Sequence, residues 1–373
     1  VIVLDVALAP ACGFIQSAQD SVTLRESAAA SKFVVFGTFQ NAKESPDGDS
    51  TEFVITRTVK THPVVAGRKL LRIPRFVPTP EGKPSPGYLL FGEIVDGKPD
   101  VSRGVVGTPA LAGYVEGALG IDGKDRIKVM RYCSPYFEDD DSEINGDAFI
   151  EFMKSTDSDI RKGARFVAAD RLRAWLRSEH TLKARRRLYA FLLAQWGNQE
   201  DAASLRTLLD RDVRDQAPLL FDGVLTGYTI LDPKKGWAFI SDLLKDPTAT
   251  FMARYSAQRA ARYFHLCQPE IVSDNEILKA LQPALEQHDM ADLVIDYLRD
   301  WRCWKLSAEI LALSNRKGFE VPLIRNRTIR YALQCPDPRT AAFIANLRAT
   351  DAALVEEIEE RLGLEAKPAP ATP

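Results

Sequence analysis

The chain has 373 residues, a formal net charge of -2, and 45% hydrophobic and 27% charged residues. That length exceeds what one hydrophobic core usually organises, so two domains, or a small domain plus a repeat array, are expected. The composition is that of an ordinary folded chain. Near-neutrality excludes a global pull toward nucleic acid or an anionic membrane, and no run of about eighteen apolar residues is available to span a bilayer.

The opening VIVLDVALAPA admits two readings. Residues 1–11 are apolar except for Asp5, and Ala9-Pro10-Ala11 fits the small-x-small pattern of signal cleavage. Residues 1–12 then read as an export-signal remnant, which places the protein in the periplasm or cell envelope, with Cys12 at the new terminus and open to lipid attachment. Without a basic start, and with a charge in its apolar stretch, the segment also reads as a short ordered or frayed piece of a cytoplasmic protein. The five cysteines, Cys12, Cys133, Cys267, Cys303 and Cys335, are scattered and form no CxxC pair. Four of them sit in apolar helical patterns, so core packing is expected rather than a disulfide framework or a zinc site.

Residues 13–107 read as a β domain. SKFVVFGTF, TEFVITRTV, KLLRIP and GYLLFGEIV are short, rich in Val, Ile, Phe and Thr, and separated by turn chemistry such as SPDGDS and TPEGKPSPG. Four or five such strands make a small barrel or sandwich. In TEFVITRTV the alternation groups Phe53, Ile55 and Arg57 against Glu52, Val54, Thr56 and Thr58. Pro63, Pro74, Pro78, Pro80, Pro84 and Pro86 fall between strands, where a missing N–H costs little.

After Gly107 the period changes from two to about 3.6. Thr108-Pro109 starts a linker helix over 108–120. Residues 121–363 then carry about twelve to fourteen helical segments of about ten to seventeen residues. Several follow an Asp-containing turn, as in DDDSEINGDAFIEFM, STDSDIRKGARFV, KDPTATFMARY, QHDMADLVIDYL and CPDPRTAAFIANL. Asp there offers a carboxylate to the unpaired N–H groups of the first turn. Irregular pairs of about thirty-five to forty residues suggest a HEAT-like array. Residues 364–373, rich in Pro and Ala, read as a disordered tail.

Three stretches invite a sharper reading. FEDDDSEINGDAFIEF aligns Asp141, Glu143, Asn145 and Gly146 with the first positions of a calcium loop, but Phe152 stands where a bidentate Glu is needed. Ile144, Ala148, Phe149 and Phe152 follow helical spacing, so an acid-capped helix is expected. Residues 161–187 hold ten Lys or Arg against Asp170 and Glu179, and the nine acids of 138–159 precede them. Mutual neutralisation is the favoured reading, and an anionic polymer bound through Arg185, Arg186 and Arg187 the alternative. Trp175, Trp196, Trp237, Trp301 and Trp304 sit in helical apolar patterns that point to packing. Trp301 and Trp304, flanked by Arg299, Arg302 and Lys305, form the best candidate pair for an exposed partner-binding surface.

Catalytic patterns are scarce. His62, His180, His265 and His288 never fall at HxH, HxxxH or HExxH spacing, and neither a G-x-S-x-G elbow nor a phosphate-binding GxxxxGK[ST] loop occurs. His62, before Pro63, reads as a turn residue. No catalytic residue, cofactor or metal is assigned.

The stretch from CGFIQSAQDSVTLRESAAASKFVVFGTF through GYLLFGEIVDGK resembles the start of netrin-like, tissue-inhibitor-of-metalloproteinase-like OB domains, with a leading cysteine, a short helix before a VVFGT strand and a later YLLF strand. That resemblance implies an OB-like barrel and a protease-inhibitor-like or other enzyme-regulating role. The remainder, with YFEDDDSEINGDAFIEFMKSTD, LYAFLLAQWG and DYLRDWRCWKL, resembles exported bacterial proteins of unknown function that carry HEAT-like helical repeats. The expected architecture is therefore α+β and multidomain: a small N-terminal OB-like β-barrel followed by an all-α HEAT-like array. The expected function is non-enzymatic binding or scaffolding in the cell envelope, with a protein partner held by the array.

Overall fold

The computed structural model describes residues 21–45, 48–79, 85–214 and 221–365. The export-signal reading of residues 1–12, with Cys12, and the tail beyond Glu365 lie outside them, as do Pro80 and Pro84. The chain divides into two compact units, residues 1–168 and 169–373, each described by itself below. The architecture is α+β, with one five-stranded antiparallel sheet and, among the described residues, seventeen α-helices.

In the first unit, helix α1 (Leu24–Ala30) precedes strands β1 (Phe33–Lys43), β2 (Ser50–Lys60), β3 (Leu70–Ile73), β4 (Gly87–Val95) and β5 (Lys98–Val106). Their order in the sheet is β3-β2-β1-β4-β5. Phe33, Val35, Phe39, Phe53, Ile55, Leu71, Ile73, Leu90 and Val101 gather in one core on the sheet's inner face. Val34, Phe36, Leu89 and Phe91 alternate with them and are buried too. Helix α2 (Pro109–Leu119) packs against β1, β2 and β4. Central strand β1 is thus buried on both faces, which is why FVVFGTF reads as a continuous apolar run. In β2 the burial is one-sided: Phe53 and Ile55 point inward while Arg57 is exposed and pairs with Glu116.

Strand β5 was not singled out in the sequence because Pro99 and Gly104 break its pattern. At a sheet edge neither disrupts an interior ladder. The β4–β5 connection is a two-residue hairpin in which Asp96 and Gly97 both take positive φ, 49° and 73°. Backbone pairing leaves β3 and β5 as edges, so the closed barrel expected from the sequence is not formed by strand ladders among the described residues. Strand β3 is only four residues long, and past its end Arg75 reaches across to donate to the Val101 carbonyl of β5 at 2.9 Å. Gly37 of β1 has a specific reason to be glycine: a Cβ there would stand 1.9 Å from the Val54 carbonyl oxygen of β2.

Beyond the sheet the first unit continues through α3 (Arg126–Cys133), α4 (Ser142–Met153) and α5 (Asp157–Gly163). Asp141 caps α4 by accepting from Glu143 and Ile144, so Gly146 lies mid-helix and the calcium-loop reading gives way to the capped helix.

The second unit is helical: α6 (Ala169–Arg177), α7 (Lys183–Ala194), α8 (Gln199–Arg214), α9 (Asp222–Leu231), α10 (Pro233–Lys245), α11 (Phe251–Cys267), α12 (Asp274–Leu285), α13 (Ala291–Asp300), α14 (Ser307–Leu313), α15 (Pro322–Gln334), α16 (Pro338–Thr350) and α17 (Ala352–Glu365). Two of them, α6 and α14, are shorter than the sequence suggested, and α17 carries the helix two residues into the predicted tail. Helices α7, α9 and α11 are neighbours in turn, as are α13, α15 and α17, while α10 touches α12 and α14 touches α16. Gly223 and Gly227, one turn apart on α9, let the α7 backbone approach: added Cβ atoms would lie 2.3 Å from the Arg187 carbonyl and 2.7 Å from that of Ala190. Asp337 caps α16, but Thr156 and Thr250 cap α5 and α11 where Asp was expected. Asp289 is instead held by Arg254 at 2.6 Å. No helix of the described residues is long and apolar enough to cross a membrane.

Candidate functional site

Two charged constellations stand out. The first joins α1 to α4. Ile144, Asp147, Ala148, Glu151 and Phe152 share one stripe of α4, so two carboxylates lie on its buried side, and Glu151 is only 1% exposed. Buried charge survives where it is paired and hydrogen-bonded. Glu151 accepts from Thr23 Oγ1 at 2.6 Å, from Arg25 Nε at 2.8 Å and from Arg126 Nη1 at 3.4 Å. Asp147 accepts from the Leu24 backbone N–H at 2.6 Å and from the Tyr114 hydroxyl at 2.9 Å. Lys154 joins Glu26 at 2.7 Å, and Thr23 with Glu26 forms a capping box at the start of α1.

Burial dominates the acid–base chemistry here. It pushes the Asp147 carboxyl up to about 6 against the hydrogen bonds that favour its charged form. It pushes the Cys133 thiol up to about 12 and the Tyr114 phenol far above its ordinary range. Cys133 Sγ lies 3.8 Å from the Tyr114 hydroxyl. A thiol held protonated in this way is a packed side chain and not a nucleophile. The arrangement can lock α1 in place.

The second constellation runs along the second unit. Asp222, at the start of α9 and 0% exposed, lies between Arg259 of α11 at 2.6 Å and Arg187 of α7 at 3.7 Å. Asp300 of α13 takes Arg262 of α11 at 3.7 Å and Arg299 at 3.0 Å. Asp296 of α13 takes Arg299 at 3.3 Å and Arg327 of α15 at 3.0 Å. Gln258 of α11 donates to the Leu293 carbonyl of α13 at 2.9 Å, and Arg325 of α15 pairs with Asp351 before α17 at 2.9 Å. These contacts join alternate helices from α7 to α17 in one continuous seam.

The candidate partner-binding residues fall on and around that seam without forming one aromatic surface. Trp301 is half-buried, with its ring 4.0 Å from that of His265 and stacked on Tyr297 at 5.7 Å. Trp304 turns to a different neighbour, meeting Tyr331 of α15 edge-on at 5.0 Å. Arg299 is held by Asp296 and Asp300, Arg302 is exposed at a φ of 55°, and Lys305 donates to Asn275 at 3.2 Å. At the end of the basic stretch Arg185 is buried, Arg186 donates to the Ser178 carbonyl at 3.2 Å, and Arg187 belongs to Asp222. Arg173, farther back, is taken by Asp170 and Asp201. The acids of 138–159 serve α4 and its neighbours, with Glu151 on Arg25 and Arg126 and Asp159 on Lys162. Trp175 packs on Tyr189, whereas Trp196, 58% exposed, departs from the packing role expected of it.

Sequence reasoning passed over Asp147, Glu151, Asp222, Arg259, Arg262, Asp296 and Arg327. For the first two a signal existed, since both acids fall on the apolar stripe of α4. His62 sits in a turn, accepting from the N–H of Val64 through Nδ1 at 3.3 Å. Cys133, Cys303 and Cys335 are buried free thiols and Cys267 is half-buried. Among the described residues no group of three or more His, Cys, Asp or Glu is placed to hold a metal ion. Hollows of about 550, 410 and 360 Å³ lie against α8–α10, α6–α8 and α14–α16. Their walls mix charged with apolar side chains, as in the first, where Arg206 lies over the Phe239 ring at 4.1 Å.

The chain matches no family model, no curated protein and no solved structure.

Proposed function

We propose that the protein is a non-enzymatic binding scaffold whose second unit, a HEAT-like array of stacked helical hairpins, presents an extended surface to a protein partner. The observation that carries this reading is the repeated reach of side chains to the next hairpin. Arg254 meets Asp289 and Gln258 meets Leu293 35 residues on, Asp222 meets Arg259 37 on, and Tyr331 reaches back 28 residues to Cys303. Contacts spanning 28 to 37 residues and repeated along the chain favour a quasi-one-dimensional stack, in which each pair covers its neighbour and the row offers an extended surface.

The first unit is read as an OB-like domain. Its strand order and the bridge from Arg75 to Val101 fit a five-stranded Greek-key barrel left open at its last seam. The proposed address, the cell envelope, rests on residues 1–11, and N-terminal sequencing of the native protein checks it. A start before Ala11 removes it.

The scaffold reading is tested by placing a photo-cross-linking side chain singly at Arg302, Lys305 and Gln334 of the array and at Arg72 and Lys98 of the sheet, in living cells of the source. Protein adducts from array positions support it. Adducts from the sheet alone, or from no position, overturn it.

A further inference from the structure

The hollow of about 360 Å³ against α14–α16 combines apolar walls with one polar point inside. Phe319, Ile324, Phe343 and Leu347 make the walls, the first from the loop after α14 and the others from α15 and α16. A tight turn shapes that loop: Gly318 takes a φ of 92°, the Phe319 N–H donates to the Arg316 carbonyl at 3.1 Å, and Glu320 accepts from the Gly318 N–H at 2.6 Å. Phe319 is thereby tucked in, 6% exposed. Hollows of this size, mostly apolar with a few polar groups, are the usual form of small-molecule sites.

The polar point is Thr328. A threonine inside a helix often spends its hydroxyl on the carbonyl four residues back, as Thr229 does on Leu225 at 2.8 Å. Thr328 is 2% exposed, and its hydroxyl has no hydrogen-bond partner among the described residues. Nor is that oxygen walled in, as the equally unpartnered hydroxyl of Thr226 is, because Thr328 lines the hollow. A polar group withdrawn from bulk water gains from any partner brought to it.

We propose that this hollow binds a small uncharged aromatic molecule with a ring hydroxyl, a phenol, whose ring packs on Phe319 and Phe343 and whose hydroxyl pairs with Thr328. Rings favour rings in edge-on or offset contact, and a phenol both donates and accepts. The mouth carries one charge of each sign, Glu320 and Arg325, both exposed, so it selects for no net charge on the ligand. The site goes beyond the scaffold reading and does not rest on it, since it needs no protein partner.

The test uses the full chain, labelled at its isoleucine methyl groups for nuclear magnetic resonance and titrated with 4-hydroxyphenylacetamide and with phenylacetamide, which lacks only the ring hydroxyl. The Ile324 methyl resonance is expected to move with both, and the phenol to bind roughly three- to tenfold tighter, the worth of one hydrogen bond. Thr328→Val exchanges the hydroxyl for a methyl of nearly the same shape, so the fold is retained, which circular dichroism verifies, and the variant is expected to bind both amides alike. Thr226→Val, the same exchange at a residue that does not line the hollow, should keep the preference. No shift at Ile324, equal binding of the two amides by the wild type, or a preference that survives Thr328→Val overturns the proposal. So does tighter binding of cyclohexylmethanol, which would mark an aliphatic alcohol as the ligand, or of acetyl-Gly-Tyr-Gly-amide, which would mark a tyrosine side chain of a protein partner.

Discussion

Arg25 and Glu151, 126 residues apart in the chain, meet at 2.8 Å in a buried ion pair that ties the helix before the sheet to the helices after it. Removing one partner of such a pair leaves charge without compensation. Glu151→Ala strands Arg25 and Arg126 together and is expected to cost roughly 3–5 kcal/mol. Hydrogen exchange measures it by region: the amides of α1 and α4 should lose protection while those of α7–α17 keep theirs. Unchanged protection of α1 would show that the pair does not hold it.

Asp147 gives a pH dependence with an unusual sign. Its carboxyl, held up to about 6 chiefly by burial, binds its proton more tightly folded than unfolded. The folded state therefore gains relative stability at low pH and loses it as pH rises from about 4 through 6. Against Asp147→Asn, which cannot titrate, the wild type should lose on the order of 3 kcal/mol across that window. Urea denaturation of both proteins at each pH measures the difference. Glu26, whose carboxyl is lowered by Lys154 and the Thr23 N–H against the opposing effect of burial, contributes equally to both and drops out. A flat difference removes the assignment.

In the array, Asp222 serves two arginines from two other helices. Asp222→Ala should destabilise the second unit by roughly 3–5 kcal/mol, and adding Arg259→Met should restore part of that loss, because an apolar side chain of similar volume needs no counter-charge. Thermal unfolding of both variants checks the order. If the double variant is no more stable than the single one, the seam is not held by this charge pair.

Two glycines should respond oppositely to alanine. Gly37→Ala drives a methyl into the Val54 carbonyl and is expected to cost about 3 kcal/mol or more. Gly146 has nothing within 4 Å of its would-be Cβ and sits mid-helix, so Gly146→Ala should stabilise by about 0.5–1 kcal/mol. A destabilised Gly146→Ala protein would revive the calcium-loop turn at that position.

The features readable from sequence are those settled by neighbours a few residues away. The runs around Phe33–Phe39 and Phe53–Ile55 declared themselves as strands through alternation and β-branching, and Thr108-Pro109 and Asp141 declared helix starts through caps that act within one turn. Strand β5 could have been found from Asp96-Gly97, a hairpin signal that Pro99 and Gly104 obscured. Where each charge goes is another matter. Glu151 looked like one acid among nine until α1 was laid across it, and Arg187 looked like part of a basic stripe until Asp222 covered it. Trp301 and Trp304, three residues apart, turned to different helices because packing, and not spacing, sets a ring's neighbour. Order along the chain fixes local backbone preference, whereas burial, which decides whether a charge is solvated or must be paired, exists only once segments 28 to 128 residues apart have come together.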